Sequence, residues 1–255
     1  GDLYQKGTLA PTNPVSVYYG GKELTPEEST NTSFGFVWDA TDALNVTFDF
    51  YSIELEDRIT QGDDISITAA DIALLQSLGV PGAGDLTNFR FYVNDFDTTT
   101  DGFDIVATYD TEIANGNTSF TFVYSDVETE VDRTGGLIGS GRIDQLEKLL
   151  PGKRWNLSAV HNTGDWRVLG RMNWVDEWFT EEWGGGGGYI SDMSTIDLEV
   201  SKDLGDYTLT FGAQNAFDDH PDKEKRGLIL GWEYPEAAPL GFNGAFYYFK
   251  VGMEF

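Results

Sequence analysis

Apolar and aromatic residues alternate with polar residues through many short segments, and this period of two constrains the fold more than any other feature. The clearest segment has the apolar set Tyr247, Phe249, Val251, Met253 and Phe255. The residues between them are Tyr248, Lys250, Gly252 and Glu254. Because successive side chains of a β-strand point to opposite faces of a sheet, the segment is predicted to be a strand with one apolar and one polar face.

Further segments repeat this alternation, and together they predict roughly nine strands. Their apolar sets are Phe34, Phe36 and Trp38; Leu44, Val46, Phe48 and Phe50; Phe103, Ile105, Ala107 and Tyr109; Phe120, Phe122 and Tyr124; Trp166, Val168, Gly170, Met172 and Trp174; Ile196, Leu198 and Val200; and Tyr207, Leu209, Phe211 and Ala213. The opposite face is predicted to carry Asp49, Asp104, Arg167, Arg171, Asp197, Glu199, Gln214 and Lys250.

The connections between these segments alternate in length. The short ones are 40–42, 112–117, 162–165 and 203–206, and the long ones are 61–88, 132–153, 181–188 and 218–244. Antiparallel strands with short turns at one end and long loops at the other are typical of outer-membrane β-barrels. Bacterial barrels of this type use an even number of strands, so the chain is expected to be part of a larger barrel.

Two other regions are predicted to differ from the strands. Residues 9–28 contain three prolines and are expected to form a long loop before the first strand. The first long loop is expected to contain a small helix, with Thr68 as its N-cap and Asp71 in its first turn. Gly79 and Pro81 are expected to end this helix.

The composition excludes several functional classes. The chain has 43 Asp+Glu against 16 Lys+Arg, a net charge of -27, so no nucleic-acid partner is expected. It has no cysteine, and its only histidines are His161 and His220, which leaves little material for a metal site or a histidine-based triad. We therefore predict no catalytic residue, no cofactor and no metal site, and we do not expect an enzyme. No apolar run approaches the about 18 residues of a transmembrane helix.

Several segments resemble motifs of the TonB-dependent receptor family. Leu24–Ser29 resembles the family pattern L-K-P-E-x-S, and Tyr51–Ile59 is similar to Y-x-I-x-x-x-D-x-I. Asn94 followed by Thr100–Asp104 resembles N…T-x-G-V-E. Asn215–Asp219 resembles the N-L-F-D signature that precedes the last strand, and Phe255 matches the aromatic terminus of the family. The resemblance covers the chain from about Leu24 onward and rests on the order and spacing of motifs that are individually weak.

The resemblance implies an all-β antiparallel transmembrane barrel, with long extracellular loops and short periplasmic turns. Residues 1–255 are expected to be the C-terminal portion of a barrel of about 22 strands, without the plug domain and the N-terminal strands. The implied function is energised uptake of a scarce nutrient, such as a metal-siderophore, cobalamin, haem or glycan, across the outer membrane of a Gram-negative bacterium. The implied partners are outer-membrane lipid and lipopolysaccharide, a TonB-type transducer acting through the plug, the remaining strands, and the barrel-assembly machinery, which would recognise Phe255.

The resemblance also suggests where a ligand would bind. The polar set from Asp49 to Lys250 would face the lumen, where it contacts the plug or, for some members, the ligand. Trp178 and Trp183 would either stack on a ligand or serve in an aromatic girdle or in loop packing. The acidic clusters Asp63–Asp64 and Asp218–Asp219 with Asp222 are expected to be solvated rather than to bind calcium.

Two other functions remain open from the sequence. A soluble β-rich glycan-binding module would have to pair its aromatic faces in a buried core, and it would not need detergent. A passive porin would have an open lumen and no plug. The motif series favours the receptor over the porin.

Overall fold

The computed structural model describes residues 5–182, 186–224 and 231–254, so Trp183 and Phe255 lie outside the described residues. The chain forms two compact units. The first comprises residues 1–31, 53–100 and 129–146, and the second comprises residues 32–52, 101–128 and 147–255. The predictions made for Trp183 and for Phe255 are therefore not tested by the structure.

Strands dominate the chain, as the alternation predicts. In chain order they are β1 (Lys6–Thr8), β2 (Glu28–Thr41), β3 (Leu44–Gln61), β4 (Ile65–Ser66), β5 (Asn88–Arg90), β6 (Tyr92–Ile113), β7 (Gly116–Thr134), β8 (Lys153–Thr163), β9 (Trp166–Val175), β10 (Trp178–Glu182), β11 (Gly186–Ile190), β12 (Met193–Asp203), β13 (Tyr207–Gln214) and β14 (Phe246–Met253). The helices are α1 (Pro14–Tyr18), α2 (Ala69–Ser77) and α3 (Ser140–Lys148), and a single 3-10 turn spans Ala83–Asp85. No helix in the described ranges is long and apolar enough to cross a membrane.

Nine strands form one sheet in the order β14-β13-β12-β9-β8-β7-β6-β3-β2, which confirms the predicted antiparallel architecture. Apart from the short strands inserted in the loops, each strand of this sheet neighbours the strand that precedes it in the chain. Turns of two or three residues, such as Ala114–Asn115, alternate with long connections, most of which carry short strands or helices. The alternation of loop lengths is therefore present in the fold. Ala114 and Asn115 both have positive φ, as a tight hairpin turn of the type I′ class requires.

The registers of the sheet separate its two faces. Trp155 pairs with Trp174 between β8 and β9, and Phe211 pairs with Phe249 between β13 and β14. By alternation these residues belong to the predicted apolar face. Phe211 is 54% exposed and Phe249 64% exposed, so the apolar face is open to its surroundings rather than packed in a core. A water-soluble protein rarely exposes so continuous an apolar surface.

Aromatic rings cross this apolar face from strand to strand. The contacts run through Phe36, Phe48, Phe103 and Tyr124, and a second series runs through Phe122, Trp155 and Trp174. Trp155 and Trp174 lie near the long-loop ends of their strands, whereas Trp166 and Tyr207 begin their strands directly after short turns. Lys202 places its ammonium 4.5 Å from the Trp166 ring centroid. Aromatic side chains therefore lie at both ends of the apolar face on these strands.

The first unit has a small core of its own. The core consists of Leu9, Val15, Leu75, Ala83, Phe89, Phe91 and Val93. Strands β1, β5 and β4 form a separate three-stranded sheet beside it. The stretch 9–28 is thus more structured than the predicted loop, because Leu9 and the α1 residue Val15 are buried in this core. Three prolines obscured the amphipathic pattern of so short a helix.

Helix α2 confirms the helix predicted in the first long loop. Thr68 accepts a hydrogen bond from the Asp71 amide, and the Asp71 carboxylate accepts from the Thr68 amide, which together form a capping box. The Tyr19 hydroxyl also donates to Asp71 at 3.1 Å. Burial opposes ionisation of Asp71, but the hydrogen bonds from Thr68 and Tyr19 outweigh it and lower the pKa of Asp71.

A second core holds the loops of the second unit together. Trp178 at the start of β10 is fully buried with Val175, Ile190 and Met193, and Leu240 packs against them. The indole Nε1 of Trp178 donates to the Ala237 carbonyl at 2.7 Å. The β10–β11 hairpin is thereby joined to the long connection between β13 and β14.

Candidate functional site

Three of the predicted polar-face residues meet in one cluster on strands β9, β12 and β14. Arg167 donates to Glu199 Oε1 at 2.7 Å, and the Lys250 ammonium lies 3.6 Å from Glu199 Oε2. The Tyr248 hydroxyl also donates to Glu199 Oε2 at 2.7 Å. We call Arg167, Glu199, Tyr248 and Lys250 the Glu199 cluster. It brings two cations and one phenol to a single carboxylate.

A glycine makes the Glu199 cluster possible. Gly212 on β13 is the register partner of both Glu199 and Tyr248, so it lies between them in the sheet. A Cβ atom at position 212 would overlap the ring carbon Cζ and the hydroxyl of Tyr248. The Tyr248 ring therefore lies across the bare backbone of Gly212 and reaches Glu199 two strands away. Tyr51 lies over Gly102 in the same manner on β3 and β6.

The charges of the cluster are unequally exposed. The side chain of Glu199 is 17% exposed, whereas that of Arg167 is 42% and that of Lys250 is 64% exposed. The carboxylate is thus enclosed by its donors while both cations extend into open polar surface. Lys250 also lies 4.4 Å from the Tyr248 ring centroid, where a cation–π contact supports the ammonium.

The remaining predicted polar-face residues lie outside the cluster. Asp197 and Arg171 are directly opposite each other in the β12–β9 register. Asp197 accepts from Asn173 Nδ2 at 3.1 Å and from the Asn215 amide at 2.9 Å. Gln214 is exposed opposite Phe246 at the end of β13. Asp49 and Asp104 are on β3 and β6, so the structure does not bring them to Glu199.

Tyr248 is the member of the cluster that sequence reasoning missed. Tyr248 is one of the β14 residues that alternate with the apolar set and so belongs to the polar face. It has no charge, and it was therefore not identified as a candidate. A usable signal was the pairing of a polar-face tyrosine with a glycine in the neighbouring strand. Reading that signal requires the register, which the sequence alone does not provide.

Three of the motifs noted in the sequence converge in the first unit. The Thr25 amide donates to Asn94 Oδ1 at 2.8 Å, and Asn94 Nδ2 donates to the Thr25 carbonyl at 3.0 Å. Asn94 Nδ2 also donates to the carbonyl of Asp57, a strand residue with a φ of 53°. Glu27 accepts from the Ile59 amide at 2.6 Å. These contacts fasten the segment before β2 to an irregular part of β3.

The fourth motif forms the turn that follows β13. Asn215 has a φ of 46°, and its side chain both accepts from the Asp219 amide and donates to the Asp219 carbonyl. The Asp218 carboxylate accepts from the Ala245 amide at 2.8 Å, immediately before β14. The motif therefore supplies the polar contacts that close the long connection at its base.

Trp178, one of the two tryptophans considered for ligand stacking, is fully buried in the second core. Its indole N–H is used by Ala237, so neither the ring nor the donor is presented to a ligand. This geometry favours the alternative of loop packing. Trp183 lies outside the described residues.

Members of the two acidic clusters form an ion pair or a hydrogen bond with other parts of the chain. Asp64 forms an ion pair with Lys6, and Asp222 accepts from the Ser191 amide at 3.0 Å. Hydrogen bonding by Ser191 lowers the pKa of Asp222. Across residues 5–182, 186–224 and 231–254, no group of three or more histidines and carboxylates is arranged to hold a metal ion.

Comparison with known proteins gives one family match. The family model described as TonB dependent receptor-like, beta-barrel matches residues 1–216 of this chain. Among curated protein sequences none matches.

Three solved structures illustrate the shared fold. The FrpB iron transporter from Neisseria meningitidis (F3-3 variant) has a TM-score of 0.60 and 13% identity over 88% of this chain and 31% of its own. The outer membrane transporter YddB from Escherichia coli has a TM-score of 0.62 and 11% identity over 91% and 33%. The ferric-catecholate import receptor Fiu from Escherichia coli K12 has a TM-score of 0.61 and 14% identity over 91% and 28%. The chain spans about a third of the length of these proteins.

Proposed function

Because the chain belongs to the TonB-dependent receptor β-barrel family, we propose that it forms part of the wall and the outer loops of an outer-membrane transporter. The transporter would take up a scarce nutrient with energy from a TonB-type transducer. Its location would be the outer membrane of a Gram-negative bacterium. We infer no catalytic role, since transporters of this family move a ligand rather than transform it.

The observation that carries the proposal is the two-faced sheet. Its apolar face is exposed, rich in aromatic rings near both strand ends, and continuous over the nine strands. From Trp166 to Trp174 the strand rises about 27 Å at the usual spacing, comparable with the about 25 Å apolar band of outer-membrane barrels. Lipid is the environment in which such a face is stable, and a soluble glycan-binding module would have to bury it.

The rest of the barrel would complete the sheet at both edges. Strands β2 and β14 end the nine-stranded order, and their outward backbone groups need partners inside a bilayer. We propose that further strands, to a total of about 22 as the resemblance implies, and a plug domain complete the transporter. The polar face, including the Glu199 cluster, would then line the lumen.

The proposed ligand class is a metal complex. FrpB is described as an iron transporter and Fiu as a ferric-catecholate receptor, and this chain shares their fold. The ligand would first meet the outer loops, where acidic residues such as Asp63, Asp64, Asp218 and Asp219 favour cationic groups through long-range attraction. Haem, cobalamin and glycans are the alternative ligands, and haem is the one that the uptake experiment includes.

The test is uptake by cells that lack the gene for the full-length protein. Radiolabelled iron is offered as catecholate, hydroxamate and haem complexes to the deletion strain, the complemented strain and a strain without TonB. We expect one complex to be taken up only by the complemented strain with TonB present. Uptake that persists without TonB would favour the passive porin, and recovery of the protein in the soluble fraction without detergent would favour the glycan-binding module.

A further inference from the structure

We propose that Arg167 and Lys250 form a binding site for an oxyanion, a carboxylate or a phosphate, on the polar face of the sheet. The proposal rests on the assignment of this face to the water-filled lumen. It adds a specific site and ligand chemistry that transport by the family does not by itself imply. Glu199 and Tyr248 act as positioning residues for the two cations.

The first argument is the local charge. Arg167 and Lys250 both lie against Glu199, so the Glu199 cluster carries an excess of one positive charge. The nearby carboxylate of Asp197 does not cancel it, because Arg171 lies opposite Asp197 in the β12–β9 register. The chain as a whole has only 16 Lys+Arg against 43 Asp+Glu. A single cation would be enough to neutralise Glu199. The second cation therefore remains available to attract another anion.

The second argument is the geometry of the donors. Arg167 contacts Glu199 Oε1 through Nη1, and Lys250 faces the other oxygen, Oε2, so the two cations flank the same group. In the part of the chain that the structure describes, the other guanidinium donors of Arg167 have no acceptor, and its side chain is 42% exposed. A guanidinium with parallel N–H groups matches the two oxygens of a carboxylate or phosphate.

The third argument is that the site is held in place before any anion arrives. Glu199 is only 17% exposed and receives Tyr248 as well as Arg167, so the carboxylate is fixed from two sides. The Tyr248 ring is itself fixed across Gly212 and supports the Lys250 ammonium. Prior ordering of this kind reduces the entropy that binding would otherwise cost.

The oxyanion has two possible sources. It is either a group of a small molecule in the lumen or an acidic side chain from another segment of the full-length protein. Both present the same oxygens to Arg167 and Lys250, so the site chemistry is shared. The experiment therefore has one arm for each source.

The first arm measures protection of Lys250 in the full-length protein purified in detergent. An amine-acetylating reagent is used at limiting concentration, and mass spectrometry follows Lys250 and the exposed control residues Lys22 and Lys153. Inorganic phosphate is titrated against chloride of equal ionic strength. We expect acetylation of Lys250 to slow roughly threefold when phosphate is at about twice its Kd, by mass action. The rates at Lys22 and Lys153 should not change.

Substitution then separates this site from general charge effects. R167Q should remove the phosphate protection of Lys250, whereas R167K should retain part of it. If R167Q does not assemble, the phosphate affinity of R167K is compared with that of the unaltered protein. A weaker affinity in R167K would support the proposal in the same way. Equal acetylation of Lys250 in phosphate and chloride would count against the small-molecule source.

The second arm uses a zero-length carbodiimide cross-linker. A Lys250–Glu199 product is the internal control, because the ammonium and carboxylate are 3.6 Å apart. A product joining Lys250 to an acidic residue outside the strands would identify a protein carboxylate as the occupant and support the proposal. No such product, together with no protection by phosphate, would overturn it. Neither result depends on TonB-driven uptake, so failure of the transport proposal is recognised separately.

Discussion

At the scale of single residues, the absence of a side chain at position 212 is what allows Tyr248 to reach Glu199. Any Cβ atom there meets the Tyr248 ring. Gly212→Ala should therefore displace the ring, break its bond to Glu199 and cost about 1–3 kcal/mol of stability, as overpacking does elsewhere. The control is Gly170→Ala, where the nearest side-chain atom is 3.9 Å from the position that the new methyl group would take.

The measurement is denaturant unfolding of the full-length protein reconstituted in lipid vesicles. Adding Tyr248→Ser to Gly212→Ala should restore much of the loss, because the colliding ring is gone. A Gly212→Ala variant as stable as Gly170→Ala would show that the ring has another position open to it.

A second prediction follows from the face of the sheet on which each strand residue lies. Phe211 belongs to the exposed apolar face, and its neighbour Thr210 belongs to the polar face at the same depth. Phe211→Arg should cost about 2–4 kcal/mol if the position is near the bilayer midplane, whereas a charge facing the lumen is tolerated. Thr210→Arg should cost less, although it also removes a hydrogen bond to Ser201. Equal losses in vesicle refolding would contradict the assignment of the two faces.

At the scale of elements, the sequence predicted the regular parts and missed those that depend on register. Eight of the nine strands of the sheet contain an alternating segment named from the sequence, with β8 as the exception, and α2 follows from the cap at Thr68. Helix α1 and the short strands β1, β4 and β5 are too brief for a periodic pattern and are stabilised by the core around Phe89. The Glu199 cluster and the Asn94 contacts join residues far apart in the chain, and no local signal specifies such pairings.

Helix α2 provides a prediction about pH. The pKa of Asp71 lies below its usual 3.8 in the folded chain. The stabilisation from its ionised form is therefore present above 3.8 and lost as the pH falls through the lower, folded value. Hydrogen exchange of the α2 amides should accelerate in that acidic range. Asp71→Asn should weaken the helix at neutral pH and flatten the dependence, and an unaltered acid profile in this variant would assign the effect to another group.

At the scale of the whole molecule, the two ends of the strands are expected to lie on opposite sides of the membrane. All the short turns connect strands at one end, and all the long loops lie at the other. An epitope tag at Gly116 should be detected only after permeabilisation, and a tag at Gly186 should be detected on intact cells. Tagged proteins that still support uptake are the control. Detection of the Gly116 tag on intact cells would reverse the proposed orientation.

The two-residue turn at Ala114–Asn115 restricts where the length of such a chain can change during evolution. A turn this tight specifies which residues pair in the hairpin, so a change of one residue that shifted the register would move the side chains of the following strand to the wrong face. The long connections carry no such restriction, since doubling the length of a flexible loop costs only about 0.6 kcal/mol. Changes in length should therefore accumulate in the long connections at one end of the strands, while the short turns at the other end stay constant in length.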